Sequence, residues 1–98
     1  MASRQIKWTV KANLEWKDIL NYWIDRNKSK AYNLRLNEMF TQALNGMAEN
    51  PLTGRRTDYG NVRVKIVRDY LLFYEYDNIQ IKVLSIWDAR RDEKNIVI

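Results

Sequence analysis

Val62-Arg63-Val64-Lys65-Ile66-Val67, then Arg68-Asp69, Tyr70-Leu71-Leu72-Phe73-Tyr74-Glu75-Tyr76, Asp77-Asn78 and Ile79 to Trp87 form the stretch whose reading decides the fold. Val62, Val64 and Ile66 alternate with Arg63 and Lys65, the period of two expected of a strand that buries one face. That alternation puts Arg63 and Lys65 side by side and assigns the opposite face to the core. Arg68-Asp69 and Asp77-Asn78 interrupt the apolar runs, and Asp and Asn tolerate the left-handed conformations of tight turns. A three-stranded antiparallel meander is predicted. Its last strand starts as a clean alternation and becomes apolar on both faces through Val83-Leu84-Ser85-Ile86-Trp87. Two-sided burial places it centrally in the sheet.

Towards the N-terminus the period changes. Ile6-Lys7-Trp8-Thr9-Val10 alternates and reads as one short strand, whose cheapest partner is the free side of the last strand. Ala12, Trp16, Ile19, Leu20 and Trp23 then follow at helical spacing, with Thr9 or Asn13 available as a cap. After a break at Asn27-Lys28-Ser29-Lys30, with Ser29 as a candidate cap, a second apolar face runs through Tyr32, Leu36, Met39, Phe40, Ala43, Leu44 and Met47. Pro51 ends this helix near Asn50, because the residue before a proline disfavours helix. The short break makes the two helices an antiparallel hairpin. Leu52 to Asn61, with Gly54 and Gly60 around Arg55-Arg56, reads as a connecting loop.

The chain is 98 residues long, which suits a single domain over 1–98 with one two-layer core. Hydrophobic residues make up 46% and charged residues 30%, the balance of a soluble globular protein. No apolar run approaches the ~20 residues of a membrane span, and no signal-peptide core follows Met1, so a cytoplasmic location without membrane contact is expected. Cysteine and histidine are both absent. That removes thiol nucleophiles, disulfides, thiolate metal sites and histidine-based acid–base chemistry. No metal or other cofactor is expected. The net charge of +5, spread over both halves, suits an anionic partner, either nucleic acid or an acidic protein segment.

A strand, a helical hairpin and a meander ending in Ser85-Ile86-Trp87-Asp88-Ala89-Arg90-Arg91-Asp92 resemble the RelE and ParE toxin superfamily of type II toxin–antitoxin systems. The likeness spans nearly the whole chain. It is carried by the Tyr70 to Tyr76 strand, the apolar Ile79 to Ile86 strand, the Arg90-Arg91-Asp92 ending, and Pro51 and Gly54 after the hairpin. The resemblance implies a RelE-like α+β fold of order β-α-α-β-β-β, with the hairpin packed on an antiparallel sheet and the last strand central. It also implies a growth-arresting toxin, a cognate antitoxin that neutralises it, and operator DNA contacted only through that antitoxin. Members divide into gyrase poisons and ribosome-dependent messenger RNA endonucleases, and the fold does not separate the two.

For the nuclease branch the RNA supplies its own 2′-hydroxyl nucleophile, and the protein moves protons and stabilises phosphate charge without a metal. Arg63 and Lys65 resemble the basic pair of such enzymes, and Arg90 or Arg91 resembles their basic residue near the end of the last strand. These four are the candidate catalytic residues, acting as phosphate-holding cations. Arg68 at the turn is an auxiliary candidate, and Asp88 or Glu75 are the candidate general bases. Two departures stand against this branch. Leu71 occupies the position where many of the nucleases carry an arginine, and the segment from Asp92 to Ile98 lacks their C-terminal tyrosine. Tyr70, Tyr74 and Tyr76 share one face of their strand, which offers a base-stacking platform or, the favoured reading, packing under the hairpin. The bland readings are a solvated face for Arg63 and Lys65, a solvated loop for Arg55-Arg56, and core for both helix faces.

Overall fold

The computed structural model describes residues 4–27 and 30–89, with 23–27 and 30 described in backbone only. The expected capping by Ser29, the packing of Trp23, and Arg90 and Arg91 all lie outside these described residues. β1 (Gln5–Trp8) leads into α1 (Val10–Asn27), then α2 (Lys30–Glu49), a 3₁₀ turn at Pro51–Thr53, and β2 (Arg55–Arg56). The meander follows as β3 (Arg63–Val67), β4 (Tyr70–Tyr76) and β5 (Gln80–Asp88). One sheet of order β1-β5-β4-β3-β2 results, with both helices packed on one face.

The expected α+β arrangement is present, with two refinements. The sheet is mixed, because β1 runs parallel to β5 while the other pairs are antiparallel. The connecting loop also supplies a fifth strand, β2, two residues long. β5 lies between β1 and β4, as its two-sided apolar run requires. One extra residue, Leu84, bulges from β5 where the register passes from Phe73↔Ser85 to Tyr74↔Val83.

Local chemistry explains where the elements begin and end. Thr9 Oγ1 accepts the Ala12 amide at 3.1 Å and caps α1. Asn50 Oδ1 accepts the Leu52 amide at 3.2 Å, so the chain leaves α2 through a capped 3₁₀ turn led by Pro51. Asp77 Oδ1 takes the amides of Ile79 and Gln80 at 2.8 and 2.9 Å, an Asx turn between β4 and β5. These two donors hold the Asp77 carboxyl below its usual range. Arg68, first residue of the β3–β4 turn, has φ 55°, a conformation that costs a side chain bearing Cβ.

Beyond Trp8 the edge of β5 loses β1, and α1 takes over its role. The Glu15 carboxylate accepts the Ile86 amide at 3.2 Å and the Ser85 hydroxyl at 3.0 Å. Lys11 bridges the same pair, 3.0 Å from Glu15 and 2.9 Å from Ser85 Oγ. A side chain thus satisfies strand groups that would otherwise be orphaned.

The core lies between helices and sheet: Ala12 and Ile19 from α1, Leu36, Phe40, Leu44 and Met47 from α2, and Tyr70, Leu72, Tyr74, Ile81, Val83 and Ile86 beneath them. Aromatic rings connect the layers, with Trp16 4.4 Å from Phe40 and Phe40 5.8 Å from Tyr70 in an edge-on contact. Each such side chain contributes ~1.5–3 kcal/mol on leaving water.

Candidate functional site

Arg63 stands directly opposite Tyr74 in the β3–β4 register, Lys65 opposite Leu72, and Val67 opposite Tyr70. Residues directly opposite share a face, and all three partners belong to the core under the helices. Arg63 and Lys65 are therefore on the helix side of the sheet, which corrects the expectation that their opposite face is the core face. Val67 sets the parity of β3, and it is buried. Val64 and Ile66 point to the other side, where Ile66 is 50% exposed. The two charges are tolerated on the helix side because helical cover gives way there to the polar backbone of the 3₁₀ turn.

That turn binds them. Arg63 Nε donates to the Gly54 carbonyl at 3.0 Å, and Lys65 Nζ lies 3.4 Å from Thr53 Oγ1. Tyr74 completes the arrangement: its hydroxyl donates to the Pro51 carbonyl at 2.6 Å and accepts the Gly54 amide at 3.0 Å. Burial pushes the Tyr74 phenol up, opposed by the Gly54 amide and the nearby Arg63 cation. Gly54 has ordinary extended angles, and closeness explains it instead. A Cβ there would stand 2.6 Å from Tyr74 Oη and 2.9 Å from the Val64 carbonyl oxygen.

Beside this knot lies a cleft of about 390 Å³ lined by Arg56, Gly60, Asn61, Arg63 and Tyr76. Arg56 faces Arg63 across the β2–β3 pair, so the two guanidinium side chains emerge on the same side. Tyr76, two residues beyond Tyr74, shares that side and is 37% exposed, with the Arg4 guanidinium 5.7 Å from its ring centroid. Arg56 is the residue that sequence reasoning set aside as loop. Two residues are too few for a period of two to register, and only the pairing with β3 reveals a strand.

The remaining candidates are dispersed. Glu75 lies on the opposite face, paired with Lys82, and lines a shallow hollow with Thr9, Lys11, Tyr59, Val62 and Leu84. Asp88 is level with Tyr70, roughly 13 Å along β4 from Tyr74 at ~3.3 Å per residue. Arg68 lies at the β3–β4 turn, at that same far end. Leu71 belongs to an apolar row, Ile66–Leu71–Trp87, on the face away from the helices. Among the described residues no group of three or more carboxylates is placed to hold a metal ion, and no helix is long and apolar enough to cross a membrane.

A family profile described as ParE toxin of type II toxin-antitoxin system, parDE, matches residues 6–93. Among solved structures, the chain is similar to one of the chromosomal ParDE TA system from P. aeruginosa, with a TM-score of 0.75 at 16% identity over 90% of this chain and 98% of that one. It is similar to the YoeB dimer from Staphylococcus aureus, with a TM-score of 0.62 at 15% identity over 88% and 97% of the two chains. In the E. coli DinJ-YafQ toxin-antitoxin complex the TM-score is 0.52 at 13% identity, covering 89% of this chain and 93% of that one. At such identities the likeness is one of fold. No curated protein matches the chain in sequence.

Proposed function

The chain belongs to the ParE toxin family of type II toxin–antitoxin systems, and from that premise we propose that it arrests growth by binding and poisoning a host target, DNA gyrase, rather than by cutting RNA. One observation carries this reading: the cluster of Arg56, Arg63 and Lys65 is apart from the candidate proton acceptors. Arg56, Arg63 and Lys65 are on the helix side, Glu75 is on the other face, and Asp88 is at the far end of β4. A nuclease that uses the RNA's 2′-hydroxyl needs an acceptor within ~3 Å of that proton and cations at the same phosphate. The apolar row containing Leu71 supports the same conclusion, since it puts no cation at the position where many of the nucleases carry an arginine.

Like the YafQ of the DinJ-YafQ toxin-antitoxin complex, this toxin has a cognate antitoxin in our reading. An acidic or amphipathic antitoxin segment folds against the basic domain and carries the contact with operator DNA. Two measurements test the proposal. Expression of the chain arrests growth, and co-expression of the adjacent small open reading frame rescues it. The purified chain inhibits gyrase supercoiling; full supercoiling at a stoichiometric excess of toxin overturns the gyrase assignment.

The clustering of Arg56 with Arg63 favours one alternative, a ribosome-dependent messenger RNA endoribonuclease using Arg63, Lys65 and Arg90 or Arg91. It requires transcript cuts in translating ribosomes that disappear in an Arg63→Ala, Lys65→Ala double variant.

A further inference from the structure

The cleft beside β2 carries more cation than the fold needs. Arg56 and Arg63 are directly opposite in the β2–β3 register, where like charges repel. Among the described residues neither has a carboxylate partner. Arg63 is also held in place, because its Nε is bound to the Gly54 carbonyl. A fixed guanidinium across from a second one supplies N–H donors of the kind with which arginine forks grip phosphate oxygens. The other walls are the Asn61 amide, the partly exposed Tyr76 ring and the backbone at Gly60. Nothing lies within 4 Å of the place where a Gly60 Cβ would stand, so that backbone is open to an approaching ligand.

We propose that this cleft is a binding site for a nucleoside phosphate, either free or at the end of a single nucleic-acid strand. Arg56 and Arg63 clamp the phosphate, Tyr76 stacks on the base, and Asn61 hydrogen-bonds the base edge. A volume of about 390 Å³ falls in the ordinary range of small-ligand sites. An acidic peptide would use the arginines and leave the aromatic wall without a role, so the combination favours the nucleotide. Bound phosphate also removes the repulsion between Arg56 and Arg63. The site goes beyond the toxin reading and does not depend on gyrase being the target.

The test is titration of the ¹⁵N-labelled full chain, followed through the Gly60 and Asn61 amides. The probes are adenosine monophosphate, a 5′-phosphorylated hexathymidylate, inorganic phosphate and hexaglutamate. Both nucleotide probes saturate these amides, and the tighter of the two identifies the source of the ligand. Arg56→Ala weakens both by about tenfold or more, since it removes half of the clamp. Tyr76→Leu weakens both by about fivefold or more and leaves inorganic phosphate unchanged. Lys82→Ala, which removes the same charge from the opposite face, changes binding by less than about twofold. The proposal is overturned by absence of saturation at millimolar nucleotide, by a Tyr76→Leu variant that binds as the parent does, by equal losses in Arg56→Ala and Lys82→Ala, or by tighter binding of hexaglutamate. Thermal midpoints of the variants confirm that each remains folded, and a supercoiling assay on the same samples reads the gyrase proposal separately.

Discussion

Tyr70 and Tyr74 stand four residues apart on one face of one strand, and both are completely buried, yet what buries them differs in kind. Tyr70 lies under α2, its ring edge-on to Phe40. Tyr74 lies under a 3₁₀ turn, its hydroxyl bonded to Pro51 and Gly54. The first cover is an aromatic side chain carried by a helix. The second is polar, and so Arg63 can sit beside Tyr74 with its Nε on the Gly54 carbonyl. The cleft exists because the helical cover ends between these two tyrosines and a short backbone turn replaces it.

The comparison breaks most severely at the helical end. Phe40→Ala should cost about 3–5 kcal/mol, read from urea unfolding, by leaving a cavity between Trp16 and Tyr70. While the variant remains folded, its Gly54 and Gly60 amide shifts should stay near their parent values, because the turn does not rest on that ring.

At the polar end, Gly54→Ala should cost about 3 kcal/mol, the upper part of the overpacking range. The added Cβ meets the Val64 carbonyl oxygen at 2.9 Å, and backbone cannot swing aside. Combining it with Tyr74→Phe removes the contact with the hydroxyl at 2.6 Å and keeps that with the ring carbon Cε1 at 2.8 Å, so the double variant should lose only slightly less than the sum of the singles.

Tyr74→Phe alone should cost roughly 1–2 kcal/mol, since it strands the buried Gly54 amide and deprives the Pro51 carbonyl of its donor. It also sharpens the comparison through pH. Burial raises the phenol's pKa in the folded chain, so the folded state keeps this proton after the unfolded chain has begun to lose it near pH 10. The contribution is whole below that pH and declines as pH rises through the folded value. Unfolding measured above about pH 10 should therefore show a shallower loss of stability in Tyr74→Phe than in the parent.

The smallest effect is expected where neither tyrosine is involved. Arg68→Gly relieves the left-handed conformation at φ 55° and should change stability by less than about 1 kcal/mol, in the stabilising direction. A destabilised variant would mean that the Arg68 side chain contributes more than its backbone costs.

Much of this was legible in the residues. The helical spacing of Ala12, Trp16 and Ile19, and of Leu36, Phe40, Leu44 and Met47, announces the two faces that the core uses. Thr9 as cap, Pro51 as helix stop, Asp77 as turn residue and the apolar run of β5 each act through chemistry confined to a few neighbouring positions. The candidate site was half legible. Arg63 and Lys65 stand out by alternation, while Arg56, Asn61 and Tyr76 come to the same cleft from a two-residue strand, a turn and the end of another strand.

By itself the sequence determined the element types, their order and the membership of most core positions, because periodicity and capping are local. Tertiary structure alone decided which side of β3 is inward, that Arg55–Arg56 forms a strand, and that β1 runs parallel to β5. Alternation distinguishes two faces of a strand without saying which one a distant helix will cover. A two-residue strand has no period to read, and it is defined only by the partner that bonds to it. For the same reason Tyr74 and Gly54, twenty positions apart and unremarkable singly, become the joint on which the cationic cleft is built.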